Sequence, residues 1–353
     1  EDLRKNVTAL KTQLGLTPAG LSKVRAKDRA APKKSKLEDL LDDARVYAVD
    51  HAEQYQHDVD DYCRGVSSGD IASTAGIRQA VDRYLRDLAS GKWDFRAEEA
   101  NEVIAIIETT LCHRQGEALD GTPLRGKPFL LMGYHKFCVY NLLGFWLPGA
   151  NERRFNEGQI YVPRKNVKTT FAAALCWALS LKYRTSGSKA YEVGAALKQA
   201  METFDNWDYN IERVQYSGLK DAQAEGWRIL DNNMEHSVSN EDIGGGSLHL
   251  VALASNPDAQ DSFNCNIVVA DEMHAYKSPK QYNILKEATK AYTNKLVIGI
   301  TTAGDDGTSF CAQRLTYCRR VLNGTVQDDA YFIFVCCADQ DEKGNVDYTN
   351  PIQ

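Results

Sequence analysis

The chain has 353 residues, of which 43% are hydrophobic and 25% charged, with a formal net charge of −6. These values suit a globular protein of two domains, or one large α/β domain with an appendage. The acidic balance excludes a uniformly basic nucleic-acid coat and leaves only a local basic patch open.

No run of 18 apolar residues occurs, so nothing reads as a transmembrane helix, and the polar N-terminus is no secretory signal. The nine cysteines are Cys63, Cys112, Cys138, Cys176, Cys265, Cys311, Cys318, Cys336 and Cys337. Their odd number, their mostly apolar settings and the lack of any C-x-x-C pair predict reduced, mostly buried thiols in a cytoplasmic protein.

Residues 1–36 carry ten Lys/Arg against three Asp/Glu. They read as a tail or linker, or as a basic arm for DNA or a partner. A short helix is expected near Pro18. The charge then reverses: residues 37–62 hold nine acids and one arginine with helical apolar spacing. Further helices are expected over about 74–89 and 96–114, so 37–125 reads as a helical subdomain. A Gly/Pro loop at 118–128 and an apolar helix over 134–146 follow.

From 159 onwards short apolar strands alternate with helices. Strands are expected at 159–164, 189–196, 247–254, 266–272, 295–304 and 331–338. Helices are expected near 168–183, 198–214, 279–293 and 309–322. That order predicts an α/β domain over 126–353, with a largely parallel sheet and helices on both faces. The region 225–254 is the place for an antiparallel hairpin.

Three strand ends carry chemistry. "YVPRKNVKTT" places Lys168 and Thr169 where a strand turns into a helix, the context of a phosphate-binding loop. Val167 and Pro163 stand near the positions of the two usual glycines. "NIVVADEMHAY" ends an apolar strand in Asp271 and Glu272. A buried strand gains no stability from a terminal carboxylate pair, whereas a triphosphatase uses one acid on Mg²⁺ and the other on water. "VIGITTAG" ends in Thr301 and Thr302, then Gly304, hydroxyls suited to sensing a γ-phosphate.

Together these motifs resemble the large subunit of tailed-bacteriophage terminases, the DNA-packaging motor. Pro163, Arg164, Lys165, Asn166, Lys168 and Thr169 match that family's loop. Asp271, Glu272, Met273, His274 and Ala275 match its Walker B motif, and Thr301, Thr302, Ala303 and Gly304 its coupling motif. The likeness spans roughly 40–353.

The resemblance implies a P-loop NTPase fold that hydrolyses ATP with Mg²⁺. Pro163 to Val167, Lys168, Thr169 and Thr170 would bind nucleotide. Thr169 and Asp271 would hold the metal. Glu272 would be the catalytic base, with Arg164 and Lys168 acting on the γ-phosphate, and Thr301, Thr302 and Gly304 would couple hydrolysis to motion. Tyr134 and His135 fall where the family places an adenine-side motif. Implied partners are double-stranded DNA, the small terminase subunit, the capsid portal and other copies in a ring of five, in the host cytoplasm. Residues 1–36 look like the tail of some small terminase subunits. Family members continue into a nuclease domain. This chain stops at "DYTNPIQ", so no nuclease site is assigned to it. Two other readings stay open: a helicase-like DNA translocase, and a degenerate P-loop scaffold, for which Val167 is the main support.

Overall fold

The computed structural model describes residues 35–118, 120–243, 246–254, 263–304, 306–339 and 346. Lys36–Gln353 form one compact unit. The basic tail up to residue 34, with the helix expected near Pro18, lies outside the described residues.

The expected α/β architecture is present. An eight-stranded sheet runs in the order β10-β3-β9-β8-β4-β7-β6-β5. Its strands are β3 (Glu157–Tyr161), β4 (Ser188–Gly194), β5 (Trp227–Asp231), β6 (His236–Ile243), β7 (Gly246–Ala254), β8 (Ile267–Asp271), β9 (Leu296–Thr301) and β10 (Tyr331–Val335). The six strands from β10 to β7 are parallel. β7, β6 and β5 pair antiparallel, as the 225–254 hairpin reading expected.

Strand alternation divides the core in two. Ile267 and Val269 of β8 join the larger cluster, while Val268 and Ala270 join the smaller one on the other face. Parallel strands buried on both faces read as continuous apolar runs, which is why these were legible. Helix α6 (Lys168–Lys182) and α7 (Leu197–Tyr209) lie on the first face, and α9 (Lys280–Ala288) on the second. Short α8 (Leu219–Ala224) leads into β5, and α10 (Phe310–Leu322) leads to β10.

The N-terminal helices are α1 (Lys36–Asp50), α2 (Ala52–Ser68), α3 (Ala75–Ser90), α4 (Ala97–Thr110) and α5 (Gly133–Gly144). They share the larger apolar cluster with the sheet. A two-stranded ribbon, β1 (Asp94–Phe95) and β2 (Phe145–Trp146), ties α3 and α5 together.

Several element ends differ from the sequence reading, each for a local reason. The helix expected over 37–62 breaks at His51, whose ring reaches back to the Tyr47 carbonyl. α4 stops at Thr110, four residues early. Thr109 and Thr110 hydrogen-bond the carbonyls of Ala105 and Ile106, and Leu111 turns extended. The helix expected to reach 214 changes at Asn210 into a π-helical turn, because the Asn210 amide bonds both Cys112 and the Asn206 carbonyl. The apolar helix expected to reach 146 ends at Gly144. All nine cysteines are free, and no helix of the described residues is long and apolar enough to cross a membrane.

A buried arginine pair fixes the helical layer to the sheet. Arg154, with 1% of its side chain exposed, meets Asp87 of α3 at 2.7 Å and donates to the Asp329 carbonyl at 2.7 Å. Its guanidinium lies over the rings of Trp93 and Phe155. Arg83 of α3 donates to the Tyr331 and Asp328 carbonyls. Both grip the start of β10, the neighbour of the strand that feeds the phosphate loop. Arg154→Ala leaves Asp87 only its longer 3.9 Å contact with Arg83, and removes the bond to the Asp329 carbonyl and the packing on two rings. The expected loss is about 3 kcal/mol in urea unfolding, the low end for a broken buried pair. Arg154→Lys should recover only part, since a point charge cannot serve a carboxylate, a carbonyl and two ring faces. A loss below about 1 kcal/mol would show that the pair is dispensable.

Candidate active site

β3, β9 and β8 are adjacent, so their C-terminal ends open onto one place. The first end carries the loop. Val162 still pairs with β9, its amide donating to the Thr301 carbonyl at 3.0 Å. The chain then turns through residues 163–167 and enters α6 at Lys168. The helix sequence "KTTFAAALCWALSLK" is rich in strong helix formers and almost wholly buried. Its start has no side-chain cap. The first amides of a helix have no partner within it, and together with the helix dipole they favour an anion.

The loop is braced from within. The Asn166 amide donates to the carbonyls of Pro163 and Arg164, and Lys168 Nζ donates to the Pro163 carbonyl at 3.4 Å. Tyr134 of α5 donates to the Asn166 carbonyl at 3.0 Å. His135 is different: it is 1% exposed and packs on Phe171. Burial holds its imidazole neutral, pushing it down to about 3. Of the two residues expected on the adenine side, Tyr134 touches the loop, while His135 sits in the core behind it and offers no surface to a base.

Val167 stands at φ +57°, in the left-handed region that a glycine usually fills. Lys165 has φ +67° and Glu272 φ +51°. Among the described residues these are the three non-glycine positions with positive φ. Each costs about 1–2 kcal/mol. All three lie in the loop or at the end of β8, so backbone strain is gathered at one site.

The end of β8 faces the loop. Thr169 Oγ1 donates to Asp271 Oδ2 at 2.9 Å, and the Glu272 amide donates to Asp271 Oδ1 at 2.8 Å. Asp271 is 0% exposed. Burial, then the Glu272 charge beside it, push its carboxyl up to about 6 against the pull of these two hydrogen bonds and Lys168. Glu272 Oε1 is 3.8 Å from Lys168 Nζ, and its Oε2 is 2.9 Å from His274 Nδ1. Burial raises the Glu272 carboxyl too, but His274, Lys168 and Arg164 together bring it below the usual glutamate range. Arg164 is exposed at the rim, near enough for its charge to act on Glu272. Thr170 is half-buried in the first turn of α6.

β9 supplies the third end. Thr301 Oγ1 accepts the His274 amide at 3.1 Å and donates to the Thr302 carbonyl at 2.9 Å. Thr302 Oγ1 lies 3.2 Å from His274 Nδ1. Gly304 runs past the same histidine, and a Cβ there would come within 3.0 Å of the His274 Cβ. Gly299 is needed deeper down: a Cβ there would lie 2.3 Å from Met273 Sδ and Gln159. The sequence reading matched Met273 and His274 to a motif without giving either a job. No spacing rule marks them, because their role comes from the neighbouring strand.

Two carboxylates, a hydroxyl, a lysine and an open helix start thus converge. Asp271 and Thr169 offer hard oxygen ligands of the kind Mg²⁺ takes. The raised Asp271 carboxyl fits a group whose charge awaits a cation. Its cost sets a pH dependence. With a folded value near 6 and an ordinary value of 3.8, the folded state holds the proton longer, so stability falls as pH rises through that window. Asp271→Asn should therefore stabilise the metal-free protein by on the order of 3 kcal/mol at pH 8 and hardly at all at pH 3. Urea unfolding at the two pH values checks this. Equal effects at both would sink the electrostatic account.

Comparisons with known proteins bear on the family and the fold. The family profile described as "Terminase large subunit, ATPase domain" matches residues 133–320. No curated protein matches the chain. Among solved structures, the HK97 bacteriophage large terminase is similar over 70% of this chain, with 17% identity and a TM-score of 0.52. This chain spans 45% of that protein. The Thermus phage P74-26 large terminase ATPase domain matches over 47% of this chain and 64% of its own, at 11% identity. Its TM-score of 0.32 is too low to carry an argument. The HK97 likeness speaks for the fold, and the profile covers more than half of the chain, including the loop and the ends of β8 and β9. The chain belongs to the terminase large subunit ATPase-domain family.

Proposed function

We propose that this chain hydrolyses Mg·ATP at the loop between β3 and α6, and that hydrolysis drives double-stranded viral DNA into a procapsid. One observation carries the site assignment: Thr169 Oγ1 meets Asp271 Oδ2 at 2.9 Å, with Lys168 and Glu272 beside them. That joins the two motifs a triphosphatase needs.

In this reading the triphosphate lies along residues 163–170. It takes hydrogen bonds from the loop amides and the start of α6. Lys168, now 3.8 Å from Glu272, turns to the β- and γ-phosphates. Thr169 and Asp271 would hold Mg²⁺, which neutralises charge on the phosphates when bound. Lys168's departure frees Glu272 to orient the attacking water and accept its proton. Arg164 brings positive charge to the γ-phosphate from the rim. Tyr134 steadies the loop near the nucleoside side. The ends of β9, at Thr301, Thr302 and Gly304, register the loss of the γ-phosphate. The reaction is mostly positioning and charge neutralisation, without a covalent intermediate.

The family's partners complete the proposal: the small subunit delivers DNA, the portal seats the motor, and copies of the chain form a ring, five by family resemblance. A ring lumen needs only a few basic side chains per subunit, so the acidic net charge is no obstacle.

Phosphate release with Mg·ATP, with and without DNA, tests this. Lys168→Ala and Glu272→Gln should each lower kcat by about 10²-fold or more. A wild-type chain that releases no phosphate would defeat the ATPase reading, and an active Glu272→Gln variant would defeat the base assignment.

Val167→Gly gives a separate result. The valine already holds the left-handed geometry, so the gain in kcat should stay below about tenfold, the equivalent of about 1.4 kcal/mol. A much larger gain would favour the degenerate-scaffold reading.

A further inference from the structure

The Nδ1 atom of His274 has three oxygen neighbours: Glu272 Oε2 at 2.9 Å, Thr302 Oγ1 at 3.2 Å and Thr301 Oγ1 at 3.3 Å. A ring nitrogen carries one proton or one lone pair in the ring plane, so it forms one good hydrogen bond at a time. Thr301 has its proton on the Thr302 carbonyl and one lone pair on the His274 amide, and at 3.3 Å it is the most distant of the three. The real competition is between Glu272 and Thr302.

The surroundings keep the backbone still and leave the side chains free to exchange. The Glu272 amide is tied to the Ile300 carbonyl of β9 at 3.0 Å, and the His274 amide to Thr301. Gly304 leaves room beside the His274 Cβ, where any larger residue would press on it. Tyr276 anchors the far side, its hydroxyl donating to the Val193 carbonyl at 2.7 Å. A single imidazole therefore sits between the carboxylate at the end of β8 and the hydroxyl at the end of β9, with both backbones fixed.

We propose that His274 is a positioning residue with two states, bonded either to Glu272 or to Thr302, and that exchange between them passes the state of the carboxylate to the end of β9. Bonded to His274 and near Lys168, Glu272 is held in its resting place. When Glu272 turns to the attacking water, Nδ1 is released to Thr302, and the Thr302 hydroxyl just past β9 takes up the bond that Glu272 gave up. The inference rests on the ATPase reading above and adds a named link between hydrolysis and the coupling strand.

The test measures kcat and KM for Mg·ATP, with and without DNA, in the full chain. The variants are His274→Ala, His274→Asn, Thr302→Val and the double variant His274→Ala/Thr302→Val. Asparagine keeps a polar group close to the position of Nδ1. His274→Ala should lower kcat about tenfold or more with KM changed less than about threefold, and should abolish stimulation by DNA. His274→Asn should restore part of both. The double variant should be no worse than His274→Ala alone, because the two residues act as one unit.

Unfolding midpoints within a few degrees of wild type show that a loss is not a folding defect. Should His274→Ala misfold, the Asn and Thr302→Val arms decide, with Thr302→Val expected to lower kcat and lose DNA stimulation while KM changes less than about threefold. Wild-type hydrolysis with His274→Ala unchanged would overturn this inference alone. So would strictly additive losses, or Thr302→Val retaining full stimulation. No hydrolysis in wild type would defeat the ATPase reading, and this link with it.

Discussion

Asp271 is a carboxylate with no exposed surface, at the end of a strand buried on both faces. Burying an ionised carboxylate without partners costs several kcal/mol, so its surroundings are dictated by the need to meet that charge. Two hydrogen bonds, from Thr169 and the Glu272 amide, meet part of it. Glu272 next door makes matters worse, and the carboxyl stays raised. The fold thus maintains an unfavourable charge at one point. Such a cost persists when the missing partner is a cation brought by a ligand. The loop and the start of α6, with their lysine and free amides, are what an anion with its own metal would complete.

Strand order turns that local arrangement into a device. β9 lies between β3 and β8, so the end of β9 is hydrogen-bonded to both the strand that leads into the loop and the strand that carries the carboxylates. A change at either motif reaches Thr301 and Thr302 through one layer of side chains. The sheet itself is a poor candidate for movement. Its parallel strands are buried on both faces, and Gly299 is packed so closely against Gln159 and Met273 that no methyl group fits. A rigid sheet confines the response to the side chains and loops at its edge. The helical layer serves the same end, since Arg83 and Arg154 grip the start of β10 and Tyr134 props the loop from α5.

Much of this was legible because the motifs fall at strand ends and the strands are apolar runs. The parallel sheet, the loop before α6 and the carboxylate pair are written locally, within about ten residues each. What escaped is written between distant residues. His135 carries the same local sequence whether it faces a base or the core, and only the packing of Phe171 decides for the core. The early end of α4 and the π-turn at Asn210 depend on each other through the Asn210–Cys112 bonds, across about a hundred residues. His274 could be matched but not interpreted, because its partners come from β9.

Val167 shows how the loop manages without its usual glycine. Two requirements are bundled in that glycine: a left-handed backbone and room for phosphate. The first is met here at a cost of about 1–2 kcal/mol. The valine side chain is half-buried and packs against the main apolar cluster. Full burial of a valine gains about 1.5–3 kcal/mol, so partial burial offsets much of the strain. The same side chain ties the start of α6 to the core, where glycine would leave the turn loose. Strain at Lys165 and Glu272 has no such compensation, since Lys165 is exposed and Glu272 is held mainly by charge. Those two positions are thus the parts of the site with most to gain from a ligand.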